Sequence, residues 1–526
     1  MYQTPQTIPG MLKRNVVDFP DREAFVSVSH RTGAWVRYTW LDLDRLSDRL
    51  AAGLAGLGVR RKDKVAFLHG NSAECYLAYL AIHKLGAMFV PINARLVARE
   101  VEFILGHAEA DYVILGSDFL SLADEIRGRL PVKSWVCMEK EGRALPEWTV
   151  SFAALLETSG PPPDVEIGPH DEADLLYTTG TTGMPKGVIL TQVNKIACGR
   201  MLGASAGLSR RQYGWDRCQN AFPFFTSTGV SSVLMNWLYY GFTQILEPVF
   251  EVEATLETIA RERTTFYGGA PSMFIFLLDH PRFKEYDTSS LRTVSSGGSA
   301  MPEEVTRRMM EAWPGLRIYN FYGLTEGGVG GTYLDASDAL RKLGSIGTPW
   351  VPDQEARIVD DAGRDAAPGE VGEIAIRGPN IMKGYYKNPE ATADTLRNGW
   401  LHTGDMGYYD EEGYFFYTDR MKDMIVRGGF NIYPVEVESV LFEHPSVLQV
   451  AVIAKPHPKL GEDVLALVVP AKGRQVEPRE LMDFCSDKLA DFKRPREIVF
   501  VESLPLNPMG KMDKKALRAQ YMNRDS

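Results

Sequence analysis

A repeated alternation of short apolar runs and amphipathic stretches is the feature that most limits how this chain can fold. Residues 64–69 have the pattern of a strand, 73–85 have apolar residues at helical spacing, and 88–91 again have the pattern of a strand. Residues 111–115 repeat the strand pattern. Helices that alternate with strands cover the faces of a parallel sheet. The sequence therefore predicts an α/β protein built on parallel sheets.

Two changes of composition along the chain predict its domains. Residues 159–174 are polar and rich in proline, which predicts a loop between two lobes. Alternation resumes over 175–349, and glycine-rich segments with β character then lead to a boundary expected near Arg420. We therefore expect an N-terminal domain over 1–419 and a C-terminal domain over 420–526.

Charge and cysteine content exclude several classes of protein. The net charge of −10 argues against a surface that wraps nucleic acid. No apolar run approaches the ~20 residues that span a bilayer, and the first residues lack the apolar core of a signal peptide, so we expect a cytoplasmic protein. The five cysteines form no CxxC pair, which favours reduced core thiols over zinc or disulfide sites. A bound metal is expected to use carboxylates and a substrate phosphate.

The strongest local motif is YTTGTTGMPKG at residues 177–187. Glycines let successive backbone N–H groups point at one anion, while threonine hydroxyls and a lysine add donors and charge. The motif predicts a loop that cradles phosphate, although the chain contains neither the Walker A pattern GxxxxGK[ST] nor GxGxxG. The candidate anion ligands are Thr178, Thr179, Gly180, Thr181, Thr182, Gly183 and Lys186.

A second motif, GASAG at residues 203–207, matches the GxSxG nucleophile elbow of α/β-hydrolases. An elbow requires a strand before the serine and a helix after it. Residues 194–202 have a helical pattern instead. We therefore interpret the motif as small residues in, or at the end of, a packed helix.

Five motifs occur in an order that resembles one family. They are YTTGTTGMPKG (177–187), YNFYGLTEG (319–327), GWLHTGD (399–405), DRMKD (419–423) and PLNPMGK (505–511). Together they resemble the adenylate-forming enzymes, which include acyl-CoA synthetases, adenylation domains of peptide synthetases and luciferases. The resemblance extends from about residue 10 to residue 520. It implies a large N-terminal domain of two helix-covered sheets with a β-barrel-like subdomain, and a small, mobile α+β cap at the C-terminus.

The resemblance also implies a site for ATP. Tyr322 would offer a ring face to adenine, Thr325 a hydroxyl to the α-phosphate, and Glu326 a hard carboxylate oxygen to Mg²⁺. Asp405 and Arg420 would hold the ribose. The further nucleotide contacts implied are Gly297, Gly298, Ser299, Asn320 and Gly323.

The cap has two working faces in this family. Lys511 is implied to reach the α-phosphate and the attacking carboxylate, where a cation stabilises the transition state more than the ground state. Lys422 is implied to be the hinge between the domains. Gly428, Gly429 and Phe430 are implied to form a narrow passage for coenzyme A, where residues without side chains leave room.

The acyl pocket is implied to come from residues 222–240, 266–274, 297–299 and 327–333, with Phe225, Thr226, Gly298 and Gly327 as candidate wall residues. These windows contain no Lys, Arg, His or Asp. Because an unpaired buried charge is costly, the pocket favours a fatty or aryl monocarboxylic acid over an amino acid or a dicarboxylate. Thr226 stands where the family often has a histidine or an aromatic gate, which leaves its gating role open.

The function that the sequence predicts is an ATP-dependent acid–thiol ligase. It would convert a carboxylic acid to an acyl-adenylate with release of pyrophosphate, and then to an acyl-CoA with release of AMP; ATP, Mg²⁺ and coenzyme A are the expected small molecules. The alternative is a stand-alone ligase that loads a separate carrier protein. A luciferase-type second step is disfavoured, and the presence of Lys511 and Glu326 opposes a non-catalytic adenylate sensor. The oligomeric state, including a homodimer, stays open.

Overall fold

The structure is a computed structural model that describes residues 5–178, 185–205, 207–208, 216–297, 301–350, 353–360, 362–420, 423–428, 430–471, 473–474, 476–486, 488–506 and 512–521. Only the backbone is described at Leu202, Ser205, Asp419, Arg420 and Asn431. Within these ranges no helix combines the length and the apolar character needed to cross a membrane.

The first sheet of the N-terminal lobe has eight strands in the order β19-β9-β8-β4-β3-β5-β6-β7. These are β3 (Lys64–Leu68), β4 (Met88–Ile92), β5 (Tyr112–Gly116), β6 (Ser134–Met138), β7 (Thr149–Ser151), β8 (Glu172–Thr178), β9 (Lys186–Thr191) and β19 (Gly384–Tyr385). The strands from β8 through β4 to β7 are parallel, whereas β9 pairs antiparallel with both β8 and β19. Every residue of β4 is buried, as expected for a strand covered on both faces.

The second sheet has nine strands in the order β16-β15-β14-β13-β12-β10-β11-β1-β2. These are β1 (Glu23–Val28), β2 (Trp35–Thr39), β10 (Arg217–Asn220), β11 (Thr243–Leu246), β12 (Phe266–Gly269), β13 (Thr293–Gly297), β14 (Arg317–Tyr322), β15 (Thr332–Leu334) and β16 (Thr348–Pro349). The six strands from β14 to β1 are parallel, and antiparallel strands close both edges. The two sheets are those that the resemblance implies.

Helices cover and separate these sheets. The α-helices are α1 (Ile8–Asp18), α2 (Trp40–Gly56), α3 (Ala73–Lys84), α4 (Ala98–Ala108), α5 (Leu120–Ile126), α6 (Phe152–Leu156), α7 (Gln192–Ser205), α8 (Leu234–Tyr240), α9 (Val252–Glu262), α10 (Pro271–Leu278), α11 (Glu303–Ala312), α12 (Pro389–Thr395), α13 (Pro434–Phe442), α14 (Pro478–Ser486) and α15 (Lys514–Tyr521). A π-helix spans Thr228–Val233 and continues into α8. All of α3 except Lys84 is buried, because it is apolar on every side and lies in the central core.

A third sheet and the cap follow the two large sheets. The third sheet is antiparallel, contains β17 (Glu355–Val359), β18 (Gly372–Arg377), β20 (Leu396–Arg397), β21 (Trp400–Tyr409) and β22 (Phe415–Arg420), and corresponds to the predicted barrel-like subdomain. The cap sheet contains β23 (Ile425–Arg427), β24 (Phe430–Ile432), β25 (Val447–His457), β26 (Gly461–Pro470) and β27 (Glu497–Phe500), and two core clusters within the cap fix α13 to α15 against it. The boundary near Arg420 stays a prediction; Arg420 is the last residue of β22.

Three local predictions can be compared with the structure. The loop predicted over 159–174 is too long, because β8 already begins at Glu172. The apolar pattern at 291–294 predicts a strand, and the strand in the structure begins at Thr293 and continues through Gly297. The helical interpretation of GASAG is confirmed, since α7 extends through Gly203 to Ser205. A Cβ at Gly203 would lie 2.0 Å from the ring of Tyr240, so glycine lets α7 and α8 pack closely.

Candidate active site

A cavity of about 1420 Å³ lies at the carboxyl ends of the parallel strands of the nine-stranded sheet. Asn220 at the end of β10, Gly268 on β12 and Gly297 at the end of β13 line it there. Thr178 and Lys186 contribute from the eight-stranded sheet. The carboxyl edge of an open α/β sheet is where such folds bind ligands, because the loops that follow the strands diverge there.

The ends of the predicted phosphate loop are fixed by a strand pair. Thr178 closes β8 and Lys186 opens β9, and the two are direct partners in the antiparallel register. Thr178 Oγ1 donates to the Lys186 carbonyl at 3.5 Å. Both ends of the predicted loop therefore line the cavity, while residues 179–184 between them lie outside the described residues.

Glu326 lines the same cavity as Lys186. Tyr385 Oη donates to Glu326 Oε1 at 2.8 Å, and Lys186 Nζ lies 5.0 Å from the centroid of the Tyr385 ring. Burial raises the pKa of Tyr385, which keeps the phenol protonated as a donor. Tyr385 therefore joins Glu326 to Lys186, and the sequence motifs alone gave no indication of this tyrosine.

Tyr322 and Asp405 form a second pair. Tyr322 Oη donates to Asp405 Oδ2 at 2.8 Å, and burial raises the pKa of Tyr322 well above its ordinary value. Asp405 lines the cavity, and its strand partner across the β21–β22 register is Arg420. The backbone thus brings the two predicted ribose ligands onto neighbouring strands, while Tyr322 orients one of them.

Thr325 is anchored to the segment that lines the acyl side of the cavity. Thr325 Oγ1 donates to Ser227 Oγ at 2.9 Å, and Ser227 precedes the π-helix. The neighbouring Thr226 donates its hydroxyl to Pro223 O at 2.7 Å and accepts from Gly229 N at 3.1 Å. Because these local bonds occupy its hydroxyl, Thr226 caps the start of the π-helix.

The turn that carries Thr325 and Glu326 is strained. Val329 has φ of +68°, which is a genuine outlier for a β-branched residue. A Cβ at Gly323 would lie 2.2 Å from the Val329 carbonyl oxygen, so only glycine fits where the turn folds back. Strain of this kind costs about 1–3 kcal/mol and is concentrated at functional sites. Val329 lines the cavity and lies in the 327–333 window implied for the acyl pocket, but its positive φ was not predicted from the sequence.

The cap presents one of its two predicted faces to the cavity. Leu506 and Met512, which pair across an isolated β-bridge and flank the predicted Lys511, both line the cavity. Of the described residues in the predicted passage, neither Gly428 nor Phe430 lines it. Phe430 is 57% exposed and stacks on Phe492 with ring centroids 4.8 Å apart. This arrangement suits adenylation more than thioester formation.

The remaining predicted site residues divide into three groups. Phe225, Thr226, Gly297, Gly323, Thr325, Glu326 and Asp405 line the cavity. Gly327, Asn320 and Tyr322 lie beside it, with Gly327 facing Ile376. Outside the described residues lie Thr179, Gly180, Thr181, Thr182, Gly183, Gly298, Ser299, Lys422, Gly429, Lys511 and the side chain of Arg420.

The described carboxylates of the site fit one divalent cation that is held mainly by the phosphates of a bound nucleotide. The part of the chain that the structure describes contains no group of three or more His, Cys, Asp or Glu residues arranged to hold a metal. Glu326 offers one carboxylate with Oε1 hydrogen-bonded to Tyr385. Mg²⁺ suits such a site, because it takes one or two carboxylates together with phosphate oxygens and water. When bound, it would neutralise phosphate charge.

A buried ion network, which the sequence motifs did not indicate, supports the π-helix. Lys195 and Asp174 are both fully buried and form an ion pair. Lys195 Nζ also donates to Val230 O at 2.9 Å and to Ser231 Oγ at 3.0 Å, both in the π-helix. His83 Nε2 lies 3.2 Å from Asp174 Oδ1. Burial alone would raise the pKa of Asp174, but Lys195 and His83 hold this pKa below its ordinary value.

Replacing Lys195 by methionine should therefore destabilise the protein strongly. Asp174 would be left as a buried charge without its lysine, and breaking such a pair typically costs about 3–5 kcal/mol. Urea unfolding at neutral pH measures the effect. Lys140→Met is the matched control: Lys140 pairs with Asp118, both side chains are about half exposed, and surface pairs are worth about 0–1 kcal/mol. Equal losses in the two variants would contradict a special role for Lys195.

Comparison with known proteins agrees with this geometry. Family models match residues 12–386 as an AMP-binding enzyme and residues 436–511 as an AMP-binding enzyme C-terminal domain. An indoleacetate–CoA ligase of Aromatoleum aromaticum is 35% identical over 489 residues, 91% of this chain and 92% of that one. A long-chain-fatty-acid–CoA ligase of Mycobacterium tuberculosis is 36% identical over 520 residues, 98% of this chain and 99% of that one.

A solved structure supports the same relationship. The anthranilate CoA ligase AuaEII in complex with anthranoyl-AMP superposes with a TM-score of 0.88 at 29% identity, covering 98% of this chain and 97% of that one. The chain belongs to the AMP-binding family of adenylate-forming enzymes. Within that family it is an acyl-CoA synthetase, an AMP-forming ligase that uses ATP and coenzyme A.

Proposed function

We propose that this enzyme activates a fatty or aryl monocarboxylic acid. The supporting observation is a single cavity in which Lys186, Thr325 and Glu326 meet a wall that carries no charge over the predicted acyl windows. The cavity extends along Phe242, Phe250 and neighbouring apolar residues beyond those windows. An uncharged wall accommodates an apolar body at little cost, whereas a second carboxylate or an ammonium would be buried unpaired.

The chemistry follows two displacements. A carboxylate oxygen of the acid attacks the α-phosphorus of ATP, the bond between the α- and β-phosphates breaks, and pyrophosphate leaves. The thiol sulfur of coenzyme A then attacks the acyl carbon, its proton passes to solvent, and AMP leaves. Lys186 and Lys511 supply positive charge where phosphoryl oxygens become more negative, and such placed charge stabilises the transition state.

Each remaining residue has a binding or orienting role in this proposal. Thr325 donates to the α-phosphate of ATP in place of its present hydrogen bond to Ser227. Glu326 would bind the Mg²⁺ that accompanies the phosphates. Asp405 accepts from the ribose hydroxyls and Tyr322 holds it in place. We also propose a domain boundary near Arg420, a cytoplasmic location and a homodimer.

Product analysis with a panel of acids tests the substrate class. We expect AMP and pyrophosphate from ATP, with kcat/KM for hexanoate, octanoate or benzoate analogues exceeding that for malonate or an amino acid. A higher kcat/KM for malonate or an amino acid would contradict the proposed acid class. Thioester formation only when a carrier protein replaces coenzyme A would favour the carrier-loading alternative.

A further inference from the structure

Polar side chains on the acyl wall of the cavity are mostly satisfied by the protein itself. Asn71 donates to Phe222 O at 3.1 Å and to Glu247 O at 2.9 Å, and its Oδ1 accepts from Phe224 N at 2.7 Å. Gln219 donates to Glu247 and accepts from Thr264. These carboxamides are structural, because both the amide nitrogen and the carbonyl oxygen of each already have protein partners.

Asn236 differs from them. It lies on α8 and lines the cavity, but its Oδ1 is buried and has no hydrogen-bond partner among the described residues. A buried polar group without a partner costs about 1–3 kcal/mol. Its neighbours on the cavity wall include Val233 and Phe242, which offer no side-chain polar atom. A hydrogen-bond donor on the ligand would give Asn236 Oδ1 a partner and remove this cost.

Gln244 also lines the cavity and adds a second acceptor. Its Nε2 donates to Cys218 O and to Ile245 O, both at 3.0 Å. Because its amide hydrogens are used by the backbone, the group that Gln244 can offer to the cavity is the acceptor Oε1. Two carboxamide oxygens, which can only accept, favour a hydrogen-bond donor on the ligand.

We propose that Asn236 and Gln244 form a subsite for a hydroxyl or N–H group at the far end of the acid. The inference rests on the proposed function and specifies its substrate. Ser227 contacts Thr325 at the reacting end, and Asn236 lies nine residues further along the π-helix and α8. An α-helix rises about 1.5 Å per residue and the wider π-helix rises less, so these nine residues span less than roughly 13 Å, and carboxylate and donor are on the order of 10 Å apart.

Paired acids that differ only in the donor test the subsite. The pairs are para-hydroxycinnamate against para-methylcinnamate, and ω-hydroxydecanoate against undecanoate, with initial rates of pyrophosphate release as the readout. In the native enzyme we expect kcat/KM to favour the hydroxylated member of at least one pair by about 10- to 100-fold. Asn236→Leu and Asn236→Ala should bring that ratio close to 1 by losing only the hydroxylated acid.

Met235→Leu is the matched control, because Met235 is the adjacent residue of α8 and does not line the cavity. It should keep the native ratio. The absence of a preference in both pairs with the native enzyme would overturn the subsite, and so would a preference that both Asn236 variants retain. Pyrophosphate release with the methylated acids reports the proposed function independently, so failure of the subsite and failure of the function give different results.

Discussion

Replacing Lys511 by alanine should slow acyl-adenylate formation by about 10²–10³-fold, the usual loss when one group that stabilises transition-state charge is removed. Leu506 and Met512, between which this lysine lies in the sequence, both line the cavity. Their position supports the proposal that Lys511 brings a cation to the reacting phosphate. Single-turnover release of pyrophosphate measures this step directly.

The second half-reaction is the internal comparison for this variant. Thioester formation from supplied acyl-adenylate should be nearly unchanged, because the α-phosphate transfer is already complete. Lys515→Ala is the matched control, since Lys515 is an exposed lysine four residues away in α15. A Lys511→Ala enzyme that forms acyl-adenylate at the native rate would exclude the proposed role of Lys511.

The fold could be predicted well where local periodicity and burial agree. Residues 64–69, 73–85 and 88–91 correspond to β3, α3 and β4, because a buried parallel strand and a buried helix both need continuous apolar sequence. The prediction failed at residues 172–174. Asp174 is typical of a loop, yet it is a fully buried strand residue because Lys195, distant in sequence, pairs with it.

The sequence motifs predicted individual site residues, but not the contacts that position these residues in the fold. Thr325 and Glu326 stand out in the sequence, whereas the partners that hold them, Ser227 and Tyr385, belong to other segments. Hydrogen bonds between such distant residues depend on the tertiary fold and leave no periodic signal. The strain at Val329 is equally hidden, although the glycines around it indicate an unusual turn.

Replacing Gly429 by tryptophan should impair the second half-reaction far more than the first. Arg427 and Phe430 are direct partners in the β23–β24 hairpin, and Gly428 and Gly429 lie between them in the sequence. Phe430 lies on a face of the cap that is turned away from the cavity here, so an indole beside it leaves adenylation unobstructed. When this face serves the thioester step, the indole would occupy the passage for the pantetheine arm, and we expect a loss of about 10²-fold or more.

Backbone strain has to be separated from obstruction in this experiment. Gly428 has φ of +58°, and two-residue hairpin turns favour glycine because side chains disfavour positive φ. Gly429→Ala is the matched control, because it adds the same Cβ to the turn without filling the passage. Single-turnover rates of both half-reactions and thermal melts of both variants distinguish the two effects.

Two outcomes would contradict this prediction. If Gly429→Trp forms acyl-adenylate slowly but converts supplied acyl-adenylate normally, the two faces of the cap do not serve the two half-reactions in turn. If Gly429→Ala loses thioester formation as completely as Gly429→Trp, the turn geometry and not the width of the passage controls that step.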